Sequence, residues 1–172
     1  MASVEDVLAK NSSVYSRHLI GKTRHLMFWA RQRELTPYHI LPRQAYILFL
    51  LYNLGHKATL AELSRHSVRS INTLSIQMTR MERDGLVKKL RDNPKSVLLK
   101  YELTAKGINA YKLSNKMVSE KEIMSVLSEE ERQQLISILK KVISKAEDYK
   151  KGTRRNVKSH NKRTAKSKAG TL

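Results

Sequence analysis

No cysteine occurs in the 172 residues, so disulfides, thiolate metal sites and thiol-based redox sensing are all excluded. Long hydrophobic runs are missing too. The most apolar stretch, AYILFLLYNLG (45–55), falls short of the ~18–20 residues that span a bilayer. MASVEDVLAK carries acids where a signal peptide would be basic, and no apolar stretch follows it. These absences predict an intracellular, cytoplasmic protein with no membrane segment. Aromatics make up only 6% of the chain, which offers little on which to stack the bases of single-stranded RNA. No phosphate-cradling glycine loop, no glycine–any–serine–any–glycine elbow and no paired acids in a plausible cleft occur, so no enzyme and no cofactor are expected. Acids are scarce as well: 15 Asp and Glu face 34 Lys and Arg, a net charge of +19.

Such a charge calls for a polyanionic partner. It is unevenly placed. Nine Lys and Arg and no acid lie between Tyr149 and Leu172, so residues 1–149 hold 25 basic and 15 acidic residues and remain at +10. The basic character belongs to the body as well as the tail. The tail, KKGTRRNVKSHNKRTAKSKAGTL, has almost no large apolar residue to offset the entropy of ordering, and 149–172 is expected to be disordered.

Apolar spacing divides the rest. Val4, Val7, Leu8, Val14, Tyr15, Leu19, Leu26 and Trp29 recur at helical spacing and predict a long helix over 4–33, weakened at Gly21 and with little local structure to pack on. Pro37 and Pro42 break RELTPYHILPRQ (33–44). Residues 42–54 are apolar nearly throughout, as in a buried central helix, and Gly55 ends it. Thr59 with Glu62 is a capping box opening a short helix over about 60–65. After the turn RHSVR, Ser70 caps a second helix that Gly85 ends. Two helices joined by a short turn make a helix-turn-helix. LVKKLR (86–91) and SVLLKYEL (96–103), joined by the turn DNPK (92–95), then predict a hairpin. Thr104 caps a helix over about 105–125. Ser128, followed by three glutamates, opens a last one with an apolar stripe of Leu135, Ile138, Leu139, Val142, Ile143 and Ala146.

The second helix of the pair holds the most informative pattern. Ile71, Leu74, Met78 and Met81 share one stripe and are expected to be buried. The opposite face carries Asn72, Thr73, Ile76, Thr79, Arg80 and Arg83, with no acid among them. An ordinary solvated face mixes charge signs. This face suits DNA: short polar groups reach base edges, arginines reach guanine or phosphate, and Ile76 meets a thymine methyl. The alternative for Ile76 is packing against a neighbouring helix or loop. Arg69 and Ser70 at the helix start join the candidate contacts. Lys88, Lys89, Arg91, Lys95 and Lys100 make the hairpin phosphate-seeking. A lone hairpin with lysines is ordinarily a protected sheet edge; directly after a helix pair it reads as a wing.

The stretches ATLAELSRHSVRSINTLSIQMTRMERDGLVKKL (58–90) and YELTAKGINAY (101–111) resemble the MarR family of winged-helix transcription regulators, and LSEEERQQLISILKKV (127–142) resembles that family's last dimerisation helix. The resemblance covers about residues 5–148. It implies a mainly α fold with a small β-hairpin wing, and long N- and C-terminal dimerisation helices around a winged helix-turn-helix. The corresponding division is an N-terminal dimerisation helix (1–35), a DNA-binding domain (36–104), C-terminal dimerisation helices (105–148) and the basic tail (149–172). It further implies a homodimer on an inverted repeat in double-stranded DNA, with Asn72, Thr73, Ser75, Ile76 and Arg80 on the groove side. Two departures are visible. Ile76 stands where the family often has arginine. Lys95-Ser96-Val97 stands where the wing usually has aspartate–any–arginine, so this wing is expected to bind backbone more than it reads sequence.

Many members of the family release DNA when a small aromatic or phenolic ligand enters a cleft beside the dimer helices. The residues in question are Tyr15, His18, His25, Trp29 and Tyr46. His18 and His25 share a helix face and could hold an anion or a metal, although interface or surface histidines are the commoner case. His39, His56, His66 and His160 lack ligand spacing with carboxylates, so no metal is expected. The expectation is a sequence-specific dimeric regulator, a repressor released by a small ligand. The rival is a non-specific architectural DNA binder of linker-histone-like composition, suggested by RTAKSKAG (163–170).

Overall fold

The structure, a computed structural model, describes residues 11–67, 69–91 and 98–169, with side chains as far as residue 150. The start of the N-terminal stripe, the turn DNPK and Lys95 lie outside the described residues. Two compact units result, Met1–Ile123 and Met124–Leu172. Among the described residues, no helix is long and apolar enough to cross a membrane.

The first unit begins with α1 (Ser12–Leu35), capped by the Asn11 side chain and continuous through Gly21. A 3-10 turn (Thr36–Tyr38) follows, then α2 (Pro42–Asn53), opened by proline at its first position, where no hydrogen bond is lost. Gly55 ends α2 with φ 79, a left-handed conformation that favours glycine. β1 (Lys57–Thr59) leads into α3 (Leu60–His66), whose capping box is formed: Glu62 N–H donates to Thr59 Oγ1 at 3.2 Å, and Thr59 N–H to Glu62 Oε2 at 2.7 Å. α4 (Ile71–Arg83) starts at Ser70, whose Oγ accepts from Thr73 N–H at 3.2 Å. β2 (Val87–Arg91), β3 (Leu99–Leu103), α5 (Ala105–Ser114) and α6 (Val118–Met124) follow.

The sheet is antiparallel in the order β1-β3-β2. The expected hairpin is therefore joined by a third strand, β1, too short to show a period of two and recognisable only by its pairing of Ala58 with Tyr101. Leu35, Ile47, Leu48, Leu51, Leu63, Leu74, Met78 and Met81 are buried completely and bring α1, α2, α3 and α4 together. Ile71 does not join them. It is 49% exposed, because the first helical residue lies beyond the end of the packed stripe.

A second difference concerns 105–125, where one helix was expected. The helix breaks at residues 115–117, and Met117 has φ 50.

The second unit holds α7 (Glu129–Ala169). Ser128 Oγ accepts from Glu131 N–H at 3.2 Å, and Ser128 N–H donates to Glu131 Oε2 at 2.7 Å, a reciprocal cap. Helix continues to Ala169, where disorder was expected from 149. Lys, Arg and Ala favour helix locally and no proline intervenes, so absence of a core does not by itself dictate coil. Among the described residues of α7 no side chain is buried; Ile136, Ile138, Val142 and Ile143 are exposed.

Candidate nucleic-acid interface

α4 is fastened on one side and open on the other. Leu74, Met78 and Met81 anchor it to the core. Gln44 Nε2 donates to Asp84 Oδ2 at 2.9 Å, and Lys106 Nζ donates to the Asp84 carbonyl at 2.8 Å, so the helix end is held from α2 and from α5. Gly85 has φ 72 and sends the chain into β2. Thr104 closes the joint: its hydroxyl donates to the Gly85 carbonyl at 2.7 Å and accepts from Gly107 N–H at 3.0 Å.

The open face contains the expected residues, with unequal freedom. Asn72, Thr73, Ile76, Thr79, Arg80 and Arg83 are exposed, and Ser75 is half-buried. Two hydroxyls are engaged inside the helix. Thr79 Oγ1 donates to the Ser75 carbonyl at 3.0 Å, and Thr73 Oγ1 shares a 2.9 Å hydrogen bond with Ser70 Oγ. Arg83 Nε stands 3.7 Å from Asp84 Oδ1. Asn72, Ile76 and Arg80 remain, at successive intervals of four, so they form one row along the helix. Ile76 is 58% exposed and is not part of the core formed by the described residues.

Arg69 is half-buried in the turn before α4. Its N–H donates to Ser67 Oγ at 3.3 Å and its carbonyl accepts from Ser64 Oγ at 3.0 Å, while its Nε is buried without a hydrogen-bond partner among the described residues. That leaves a donor in the turn unsatisfied.

On the sheet, Lys88 Nζ lies 2.8 Å from Glu102 Oε2, and Lys89 Nζ lies 2.7 Å from Glu82 Oε2. The hydrogen bond to Glu82 raises the Lys89 ammonium above its ordinary value. The hydrogen bond from Lys88, aided by Lys57 and His56, lowers the Glu102 carboxyl. Arg91 is exposed at the end of β2, and Lys100 is half-buried on β3. Sequence reasoning saw the lysines of the wing and missed the acids that hold two of them, because Glu102 meets Lys88 across strands and Glu82 meets Lys89 across the joint between α4 and β2.

The candidate ligand residues are dispersed in character. Tyr15 is half-buried on α1, His18 and His25 are exposed there, and Trp29 is 64% exposed. Tyr46 is on α2 and its hydroxyl donates to the His66 carbonyl at 3.3 Å, tying α2 to the end of α3. Among the described residues no group of three or more His, Asp or Glu is placed to hold a metal ion.

Comparison of the sequence with protein-family models and with curated proteins gives no match. Solved structures do match. The organohalide-sensing transcriptional regulator RdhR-CbdbA1625, bound to 2,4-dichlorophenol, is 26% identical, with 83% of this chain and 80% of that chain covered and a TM-score of 0.67. A mutant of MarR from E. coli complexed with operator DNA is 21% identical over 77% of this chain and 96% of that one, with a TM-score of 0.69. AbsC of Streptomyces coelicolor, a MarR family transcriptional regulator, is 20% identical over 84% and 97%, with a TM-score of 0.70. RdhR and AbsC are both transcriptional regulators. By its helix order, its three-stranded sheet and this shared architecture, the chain has the winged-helix fold of these MarR-type regulator structures.

Proposed function

We propose that the protein is a sequence-specific, homodimeric regulator of transcription that binds an inverted repeat in double-stranded DNA. The observation that carries this reading is the row Asn72, Ile76 and Arg80 on a helix whose other side is locked into the core. Four residues of helix rise about 6 Å, close to two base-pair steps of about 3.4 Å. An amide, an aliphatic group and a guanidinium at that spacing match an adenine edge, a thymine methyl and a guanine edge. Arg69, Ser70, Arg83 and Arg91 supply backbone contacts beside the row, and so do Lys95 and Lys100 on the wing. Cognate examples support the polarity of the reading: the similar MarR structure is a complex with operator DNA.

A partner subunit accounts for the uncovered apolar side chains. Leu19, Ile20, Leu26, Phe28 and Trp29 are exposed on α1, and Ile136, Ile138, Val142 and Ile143 on α7. Large apolar sets of this kind mark interaction surfaces. RdhR with 2,4-dichlorophenol supports a small aromatic effector; Tyr15, His18, His25, Trp29 and Tyr46 are the candidate contacts, and release from DNA by that effector makes the protein a repressor in the cytoplasm.

The test is selection of bound duplexes from a random pool by the full chain at near-physiological salt. Enrichment of two inverted half-sites about one helical turn apart is the expected result. Binding without enrichment overturns it in favour of an architectural protein that grips backbone alone.

A further inference from the structure

The break between α5 and α6 is held from outside. α5 ends at Ser114, where Asn115 N–H donates to the Tyr111 carbonyl, and α6 starts at Val118. Arg31 and Glu34, one turn apart at the end of α1, reach groups at both helix ends. Arg31 is 7% exposed, and its Nη2 donates to the Ser114 carbonyl, one of the acceptors left open where α5 stops. Glu34 accepts from Val118 N–H and Ser119 N–H, each at 3.1 Å, and from the Ser119 hydroxyl. These are donors left open where α6 begins. Arg31 Nη1 stands 3.0 Å from Glu34 Oε1, and Arg31 Nε 3.8 Å from Glu120 Oε2. Nη1 is buried without an aligned hydrogen bond, so its tie to Glu34 is charge pairing. A cation thus faces the negative end of one helix and an anion the positive end of the next.

α1 otherwise has little hold on the unit. Arg31 and Leu35 are its only buried side chains among the described residues, and both lie in its last two turns. The rest of α1 bears the exposed Leu19, Ile20, Leu26, Phe28 and Trp29; α6 bears the exposed Val118 and Ile123. Arg31 and Glu34 therefore join two apolar-faced helices to the body that carries α4.

We infer that Arg31 and Glu34 form a positioning clasp that fixes α1 and α6 on the winged unit and thereby sets the distance between the two half-sites a dimer reads. The inference rests on the dimeric reading above. Two reading helices can demand one half-site spacing only if each is rigidly connected to the surface that meets the partner. The clasp touches no base, so the half-site sequence itself is independent of it.

The experiment is the same duplex selection, run with the full chain as wild type, Glu34→Gln and Arg31→Lys, with folding of each confirmed by circular dichroism. The wild type is expected to enrich one spacing. Each variant is expected to keep the half-site sequence while its preference over spacings one base pair longer or shorter falls at least tenfold. Protection of the Val118 and Ser119 amides against hydrogen exchange is expected to fall with it. The exchanged pair, Arg31→Glu with Glu34→Arg, retains an ion pair but opposes both helix ends, and is expected not to restore the spacing. Folded variants that keep the single spacing overturn the clasp, as does restoration by the exchanged pair or a change in half-site sequence with spacing intact. If Glu34→Gln does not fold, Arg31→Lys, which keeps the cation, decides. A wild type that enriches single half-sites removes the dimeric reading, and the clasp's role with it.

Discussion

Lys89 of β2 and Glu82 in the last turn of α4 form a 2.7 Å ion pair across the joint between wing and helix. The pair sits at the rim of the proposed DNA surface and neutralises one cation there. Both side chains are partly exposed, so solvent screens the pair and it adds little to stability. Glu82→Gln should leave the unfolding midpoint nearly unchanged, strengthen DNA binding, and steepen its dependence on salt by about one phosphate contact. Titration of an enriched duplex at several salt concentrations measures this. An unchanged slope would place Lys89 away from the backbone.

Arg80 is exposed on the reading row, and no hydrogen bond or ion pair within the chain involves its guanidinium among the described residues. Arg80→Ala should cost about 1–3 kcal/mol of binding and relax one base position if the contact is bidentate. Affinity and site preference that both stay at wild-type values would take Arg80 out of the interface.

Gly107, in the first turn of α5, lies against the chain where it leaves α4. A Cβ there would overlap the Leu86 carbonyl oxygen and press on Leu103. That oxygen already accepts from Thr104 N–H at 3.1 Å. Gly107→Ala should destabilise the unit by about 1–3 kcal/mol through forced displacement, read as a lower thermal midpoint. Wild-type stability would mean that strand and helix can separate freely at this point.

Glu34 predicts an acid response. Burial alone would raise its carboxyl, but the hydrogen bonds from the Ser119 hydroxyl and the Ser119 and Val118 amides, with Arg31, outweigh burial and hold the pKa at about 2. A depressed carboxyl stabilises the fold above its unfolded pKa of about 4.3, and that stabilisation fades as pH falls toward 2. The wild type should therefore lose on the order of 1–3 kcal/mol between pH 5 and 2 that Glu34→Gln, weaker at neutral pH, no longer has to lose. Parallel stability–pH curves would contradict the account.

The elements that announced themselves in the sequence are those built from local rules. Ser70, Thr104 and Ser128 cap helices as their spacing suggests, and Leu74, Met78 and Met81 fill the core. What stayed hidden depends on partners distant in the chain. β1 exists through its pairing with β3. The break after Ser114 is stabilised by side chains more than eighty residues earlier. On the reading face, the composition was visible, but the loss of the Thr73 and Thr79 hydroxyls to internal hydrogen bonds required coordinates. Ile71 shows the limit of periodicity: the angle suits the buried stripe, yet the core ends before it.

The central claim, that the Asn72–Ile76–Arg80 row reads bases, is tested most directly by removing a single methyl group from the DNA. Each thymine of an enriched duplex is replaced in turn by deoxyuridine, and affinity is measured for the wild type and for Ile76→Ala. The account predicts a loss at one thymine in each half-site for the wild type and none for the variant at that thymine. Replacement without effect at every position would contradict it.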